Sequence, residues 1–414
     1  MRTSFKFLLM LLFLSSCSSD DDNTQPESII QNSAPNSFSL AGISDNEENV
    51  DLTPLFLWTE ATDPDGDPVT YSLYLDTVQN PVNLVSSGIT GILYGIVTPL
   101  DMEKTYYWKV EAEDDKSAKT ESDIFSFTTR NINDYLLVQN TDFSPRAFHN
   151  ILVYNDKFWV IGGEGEDGSY KNDVWYSDDG LSWTLVTGNA AFPPRKYFTT
   201  TVFDDKMWIL GSYDGSNNLN DVWYSTDGVN WQQTNPTTIF QPRQQHAMVV
   251  FDDKMWVIDG GSRLNDVWYS EDGVNWQELA QTNTFTARFG HKALVFNDKM
   301  WVVSGYDGSI SNDVWYSEDG SNWELATDNA AFTGRTLHTV VTYMDKMWLI
   351  GSQRFGTVYN DIWYSDNGED WYQTTPDQFS KREGHTAVVK DDNIWIIGGV
   401  DELDAFLNDV WTLN

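Results

Sequence analysis

The chain has 414 residues, 14% aromatic and 21% charged, and carries a formal net charge of -37. That length accommodates two or three domains, and the aromatic content marks a globular chain, not a disordered one. So negative a surface repels phosphate backbones and argues against a nucleic-acid partner.

The N-terminus opens with "MRTSFK", a positive n-region, followed by the apolar run "FLLMLLFL" (7–14). Eight apolar residues fall well short of a bilayer span, so residues 1–17 read as a signal peptide. "LSSC" (14–17) resembles a bacterial lipoprotein box. The resemblance implies that Cys17, the sole cysteine, becomes an acylated N-terminus anchored in outer-membrane lipid. The acidic "SSDDD" after it resembles the surface-export signal of certain Gram-negative lipoproteins. Cell-surface exposure is therefore expected, with a periplasm-facing anchor as the alternative. Residues 18–33 are polar and without hydrophobic periodicity, as a flexible acidic tether would be.

Between residues 34 and 129 the pattern changes to short β-runs: "LFLW" (55–58), "VTYSLYL" (69–75), "TYYWKVEAED" (105–114) and "IFSFTT" (124–129). Turn clusters separate them, which predicts a β-sandwich. Trp58, Tyr71, the run Tyr107 to Ala112 and the closing "FSFTT" resemble a fibronectin type III module, an Ig-like fold. That resemblance implies a spacer or protein-binding role without catalytic residues. In "DPDGDP" (63–68), Asp63, Asp65 and Asp67 offer oxygens for a calcium ion, but a twelve-residue calcium loop would need Glu where Tyr74 stands. The stretch is read as a turn, and no metal site is assigned.

From residue 130 the chain is a tandem array. Each unit carries Phe-x-x-Arg, the Arg being Arg146, Arg195, Arg243, Arg288, Arg335 and Arg382. A second landmark is a Trp opening an apolar run: Trp159, Trp208, Trp256, Trp301, Trp348 and Trp395, spaced 49, 48, 45, 47 and 47 residues apart. A third is Asn-Asp-Val/Ile-Trp, and a fourth is a Trp after an Asp-Gly turn. Each unit reads as four strands, a to d, with Asp-Gly supplying positive φ between c and d. Four-stranded units at this period predict a β-propeller.

"PRKYFTTTVFDDKMWILGSYDGSNNLNDVWYSTDGVNW" (194–231) resembles a kelch repeat. The expected fold is all-β: a six-bladed kelch propeller over 130–414 behind the sandwich. The family's Gly-Gly pair is intact in Gly162-Gly163 and Gly398-Gly399 and altered in the other units, as in Asp259-Gly260. Six units have strands a, b and c but only five have d. "DYLLVQNTDFSPR" (134–146) matches "DWYQTTPDQFSKR" (370–382) position for position, so residues 134–139 are expected to supply the missing strand against 408–413.

Chemistry is harder to locate. Of nineteen Trp, seventeen hold repeat positions and read as inter-blade core. His149, His246, His291, His338 and His385 each stand three after the landmark Arg, where the second unit has Phe198, so they read as packing. The Arg could ring an anion, though repeated Arg more often satisfy carbonyls and carboxylates of the neighbouring blade. Galactose oxidase also carries a kelch propeller, but its Tyr–Cys cross-link needs a cysteine that this chain has only at Cys17. No hydrolase elbow, zincin motif or P-loop is present, and no cofactor is expected.

A binding site needs groups that differ between units, and those fall in the d–a and b–c loops, which share one face. From the d–a side come Phe148, Lys196, Tyr197, Gln244, Gln245, Phe289, Leu337 and Glu383; from the b–c side, Tyr170, Tyr213, Arg263, Tyr306, Arg354, Phe355, Tyr359 and Phe406. The expected role is binding of an extracellular protein or glycan, without catalysis. The alternative is a kelch-type sialic-acid epimerase, with the Arg holding the substrate carboxylate.

Overall fold

The computed structural model describes residues 31–414 other than 262, 355 and 375–379. Residues 1–17 with Cys17, most of the expected tether, Phe355 and Phe379 therefore lie outside the described residues, as does the side chain of Arg354. Every regular element described is a strand, and the chain divides into two compact units between Thr129 and Arg130.

The first unit holds two sheets. One orders Leu40–Ala41, Leu55–Trp58 and Leu93–Gly95. The other orders Glu47–Val50, Phe125–Thr129, Thr105–Asp114, Val69–Asp76 and Leu84–Ile89, with Lys119–Glu121 also on Thr105–Asp114. Alternation decides which face is buried: Tyr106, Trp108, Val110 and Ala112 point inward and pack with Phe56, Trp58, Leu73 and Phe127 in a single core. The Tyr106 hydroxyl accepts from the Asp101 N–H at 3.1 Å, a bond back to the upstream backbone that pins the entry to its strand.

The second unit is six antiparallel sheets. Their first long strands are Asn150–Tyr154, Thr199–Phe203, Ala247–Phe251, Lys292–Phe296, Thr339–Tyr343 and Thr386–Lys390. Each contacts the next, and the last contacts the first, so the sheets form a closed cycle around an axis. The b strands are buried along nearly their whole length, as in Lys206–Tyr213 and Lys299–Tyr306, because sheets pack against both of their faces.

In the last sheet the strand Asp134–Val138 pairs antiparallel with Phe406–Leu413, in the register Tyr135 to Thr412 and Leu136 to Trp411. The outer strand of this sheet thus comes from the start of the unit and the other long strands from its end.

Two landmarks of the repeat are halves of one contact. In every sheet the Arg is buried and donates to both oxygens of the Asp in Asn-Asp-Val/Ile-Trp: Arg146 to Asp173, Arg195 to Asp221, Arg243 to Asp266, Arg288 to Asp313, Arg335 to Asp361 and Arg382 to Asp409. The same Asp accepts the indole N–H of the following Trp, as Asp266 does from Trp268 at 2.8 Å. This corrects the expectation that the Arg serve the neighbouring blade, since each pair lies within one sheet. The Asn of the motif holds the next loop, as when Asn220 donates to the Phe240 carbonyl at 2.9 Å.

Asp-Gly turns join neighbouring sheets. A Cβ on Gly228 would lie 2.1 Å from the Trp159 ring, and one on Gly320 would lie 2.3 Å from Trp256. The glycine is needed for its positive φ (73° at Gly228) and also because the preceding sheet's Trp ring leaves no room for a side chain.

Candidate binding face and axial cavity

The residue two after each landmark Arg lies at positive φ in all six sheets: Phe148, Tyr197, Gln245, Gly290, Leu337 and Gly384, between 53° and 67°. Their backbones link neighbouring sheets. Phe148 N–H donates to Gly384 O (2.7 Å), Gln245 to Tyr197 O (3.0 Å), Gly290 to Gln245 O (2.9 Å) and Gly384 to Leu337 O (3.3 Å). This collar bounds an axial cavity of about 110 Å³ to which all six sheets contribute.

Around one side of the collar several predicted residues come together. Lys196 donates to Glu164 at 2.7 Å, and its ammonium stands over the rings of Tyr170 (4.9 Å), Tyr197 (5.0 Å) and Phe148 (5.5 Å). Burial alone would lower the Lys196 pKa; the Glu164 hydrogen bond and the nearby charges outweigh it and hold the ammonium above its usual range. Burial pushes the Tyr197 phenol up to about 12, and the negative charges of Glu164 and Glu383 add to the rise. Tyr213 extends the aromatic surface, 6.2 Å from Tyr170. Glu383 has a buried Oε2 without a partner, and burial raises its carboxyl to about 7.

The remaining predicted residues lie elsewhere on the loops. Phe289 packs on Tyr306 at 5.1 Å, and Arg263 donates to the Asp307 carbonyl at 2.9 Å, forming a second group. Gln244 buries its Oε1 without a partner, and Gln245 lines the cavity. Arg354 ends the strand Lys346–Arg354.

The histidines behave as packing groups. All five are buried, and burial drives His149 and His291 down to about 3 and the other three well below the usual range, so all are neutral. Two bond to hydroxyls of the preceding sheet: His246 Nε2 to Thr199 (2.8 Å) and His149 Nε2 to Thr386 (3.2 Å).

The landmark Arg are equally committed, so an anion-binding ring of Arg does not form. The sialic-acid alternative loses the carboxylate clamp it relied on. Sequence reasoning missed Lys292, which lines the cavity from the fourth position after Arg288. Comparing that position across units would have revealed it: Asn150, Thr199, Ala247, Lys292, Thr339 and Thr386.

In the first unit, oxygens of Asp63, Asp65 and Asp67 lie within 4.8 Å of one another. They are already engaged: Asp63 Oδ1 accepts from the Asp65 and Asp67 N–H groups, and Lys116 reaches Asp67 at 2.6 Å. The cluster forms a turn in which Asp63 Oδ2 is left buried without a partner.

The comparison with curated proteins returned no match. A family model described as the KLHDC2/KLHL20/DRC7 Kelch-repeats domain matches residues 102–280 and 264–414. Those segments take in the whole second unit and the last strands of the first. With six Arg–Asp locks, six left-handed collar residues and a cycle of antiparallel sheets, the chain belongs to the kelch-repeat family of β-propeller proteins.

Proposed function

We propose that this chain is a surface lipoprotein whose six-bladed kelch propeller binds an extracellular protein or glycan, with no catalysis of its own. In this reading Cys17 carries the acyl anchor, residues 18–33 are the tether, and residues 34–129 form a fibronectin type III-like spacer. The two-sheet core of that spacer and the Tyr106 hydroxyl bond support the assignment.

One observation carries the choice of face. On the loop face, Lys196, Tyr170, Tyr197, Phe148 and Tyr213 gather side chains that do not repeat from sheet to sheet. On the other face the repeated Ser and Asp are spent on the turns: Ser225 Oγ accepts from Gly228 N–H, and Asp227 accepts from Val229 and Asn230. Aromatic groups beside a charged side chain are the usual anchors of recognition.

A screen of the purified chain against glycans and surface proteins tests this. Lys196→Ala, Tyr213→Ala and Tyr306→Ala should weaken binding while the fold stays intact, and Lys157→Ala, Lys206→Ala and Lys254→Ala should not. The reverse result would move the site to the other face. Acceleration of sialic-acid mutarotation by the purified chain would replace binding with catalysis. For the anchor, Cys17→Ser should shift the protein from the membrane to the soluble fraction.

A further inference from the structure

We infer that the axial cavity is a binding site for a single oxyanion group, held by the Lys292 ammonium. The inference rests on the loop face being the ligand face, because the collar of that face bounds the cavity.

Lys292 opens the innermost strand of its sheet, on the axis. Among the described residues no aspartate or glutamate lines the cavity, and its histidines are neutral. Among the described residues the Lys292 ammonium makes no hydrogen bond and no ion pair, while its backbone pairs with Val303. In a chain with 62 carboxylate side chains and 25 Lys and Arg, a cation placed where no carboxylate reaches it is a departure that packing does not explain. Its side chain is exposed and lines the cavity. The enclosure governs its ionisation and lowers the ammonium pKa. A cation that has lost part of its hydration gains from a counter-charge beside it.

The repeat shows what Lys292 displaced. At the same position the Thr199 and Thr386 hydroxyls hydrogen-bond with His246 and His149 of the following sheets. Lys292 stands where a hydroxyl would meet His338, and His338 is fully buried with neither ring nitrogen bonded. Lys292 thus puts a cation on the axis where two other sheets carry a hydroxyl bonded to histidine. Thr386, whose hydroxyl bonds His149, and Asn150, whose amide donates to the Phe198 carbonyl, also line the cavity, whose volume of about 110 Å³ exceeds that needed for one water several-fold. A sulfate, phosphate or carboxylate group fits that setting: one cation, polar neighbours and, among the described residues, no competing acid.

The test is calorimetric titration of the full chain with sodium sulfate and sodium phosphate at constant ionic strength, with chloride as reference. Saturable binding is expected. Lys292→Met should weaken it at least tenfold, Lys292→Arg should retain part of it, and Lys254→Met on the opposite face should leave it unchanged. Lys292→Met should also melt no lower than the parent without ligand, since it removes an uncompensated charge, which separates lost binding from lost fold. No saturable binding by the parent chain, or equal binding by Lys292→Met, overturns the inference. Partner binding that stays sensitive to Tyr213→Ala but not to Lys292→Met would sink this inference alone and leave the proposed face standing.

Discussion

Arg243 and Asp266 meet through two parallel hydrogen bonds, Nη1 to Oδ1 at 2.8 Å and Nη2 to Oδ2 at 2.7 Å, while Nη1 also donates to the Asp259 carbonyl at 2.8 Å. The guanidinium is wholly buried, so removing its partner strands a charge. Asp266→Ala should cost about 3–5 kcal/mol, and Arg243→Met with Asp266→Leu together should cost less than Asp266→Ala alone. Chemical denaturation of the three variants checks this.

The same lock makes the propeller acid-sensitive. For Asp173 and Asp313 burial alone would raise the pKa, but hydrogen bonds and charge from Arg146 and Arg288 outweigh it and hold both carboxyls below their usual range. A lowered folded pKa gives stability that is present above the unfolded value near 3.8 and is lost as pH falls through the folded value. Melting temperature should therefore drop steeply below about pH 4. Asp313→Asn should flatten that drop.

Glu383 should act in the opposite sense. Burial raises its carboxyl to about 7, so its contribution is fully present below the unfolded value near 4.5 and lost as pH rises through about 7. Glu383→Gln should stabilise the chain at pH 8 by roughly 1–2 kcal/mol, discounted for partial exposure, and change little at pH 4. Melts at the two pH values decide it. An equal effect at both would mean the carboxylate is not desolvated.

Gly228→Ala should be costly although it adds one methyl group in a surface turn. The new Cβ meets the Trp159 ring at 2.1 Å and sits at a φ of 73°. Both penalties act together, for about 2–4 kcal/mol. Gly168→Ala is the control, with a similar φ of 74° and no atom within 4 Å, and should cost about 1 kcal/mol.

Deleting residues 134–138 should leave the backbone of Phe406–Leu413 unpaired along one side. The expected product is oligomeric or aggregated by light scattering. A monomer with an unchanged melting temperature would show the strand to be dispensable.

The repeat made much of this architecture legible. Aromatic and Gly landmarks recur because every sheet must pack against two neighbours, so Trp159, Trp208 and their counterparts announce themselves by spacing. The Arg–Asp lock was visible only as two separate motifs: nothing in a string of letters says that residues 243 and 266 touch. The collar was half legible. Phe148, Tyr197 and Gln245 stand out as unlike residues at one offset, whereas Gly290 and Gly384 offer no side chain to notice, and attention falls on Phe289 and Glu383 beside them. Lys292 escaped because a single lysine at a strand start looks like any solvated residue until the ring closes around it.

The pairing of Leu136 with Trp411 also sets the order of folding. These partners lie some 275 residues apart, so the last sheet cannot be completed until almost the whole chain has emerged. Five sheets can form by local hairpins as they are synthesised, but the ring stays open, with the Asp134–Val138 segment waiting unpaired. Closure is then a late, high-contact-order step that should set the refolding rate. The open arc is the species most in need of protection from its own kind before that step is made.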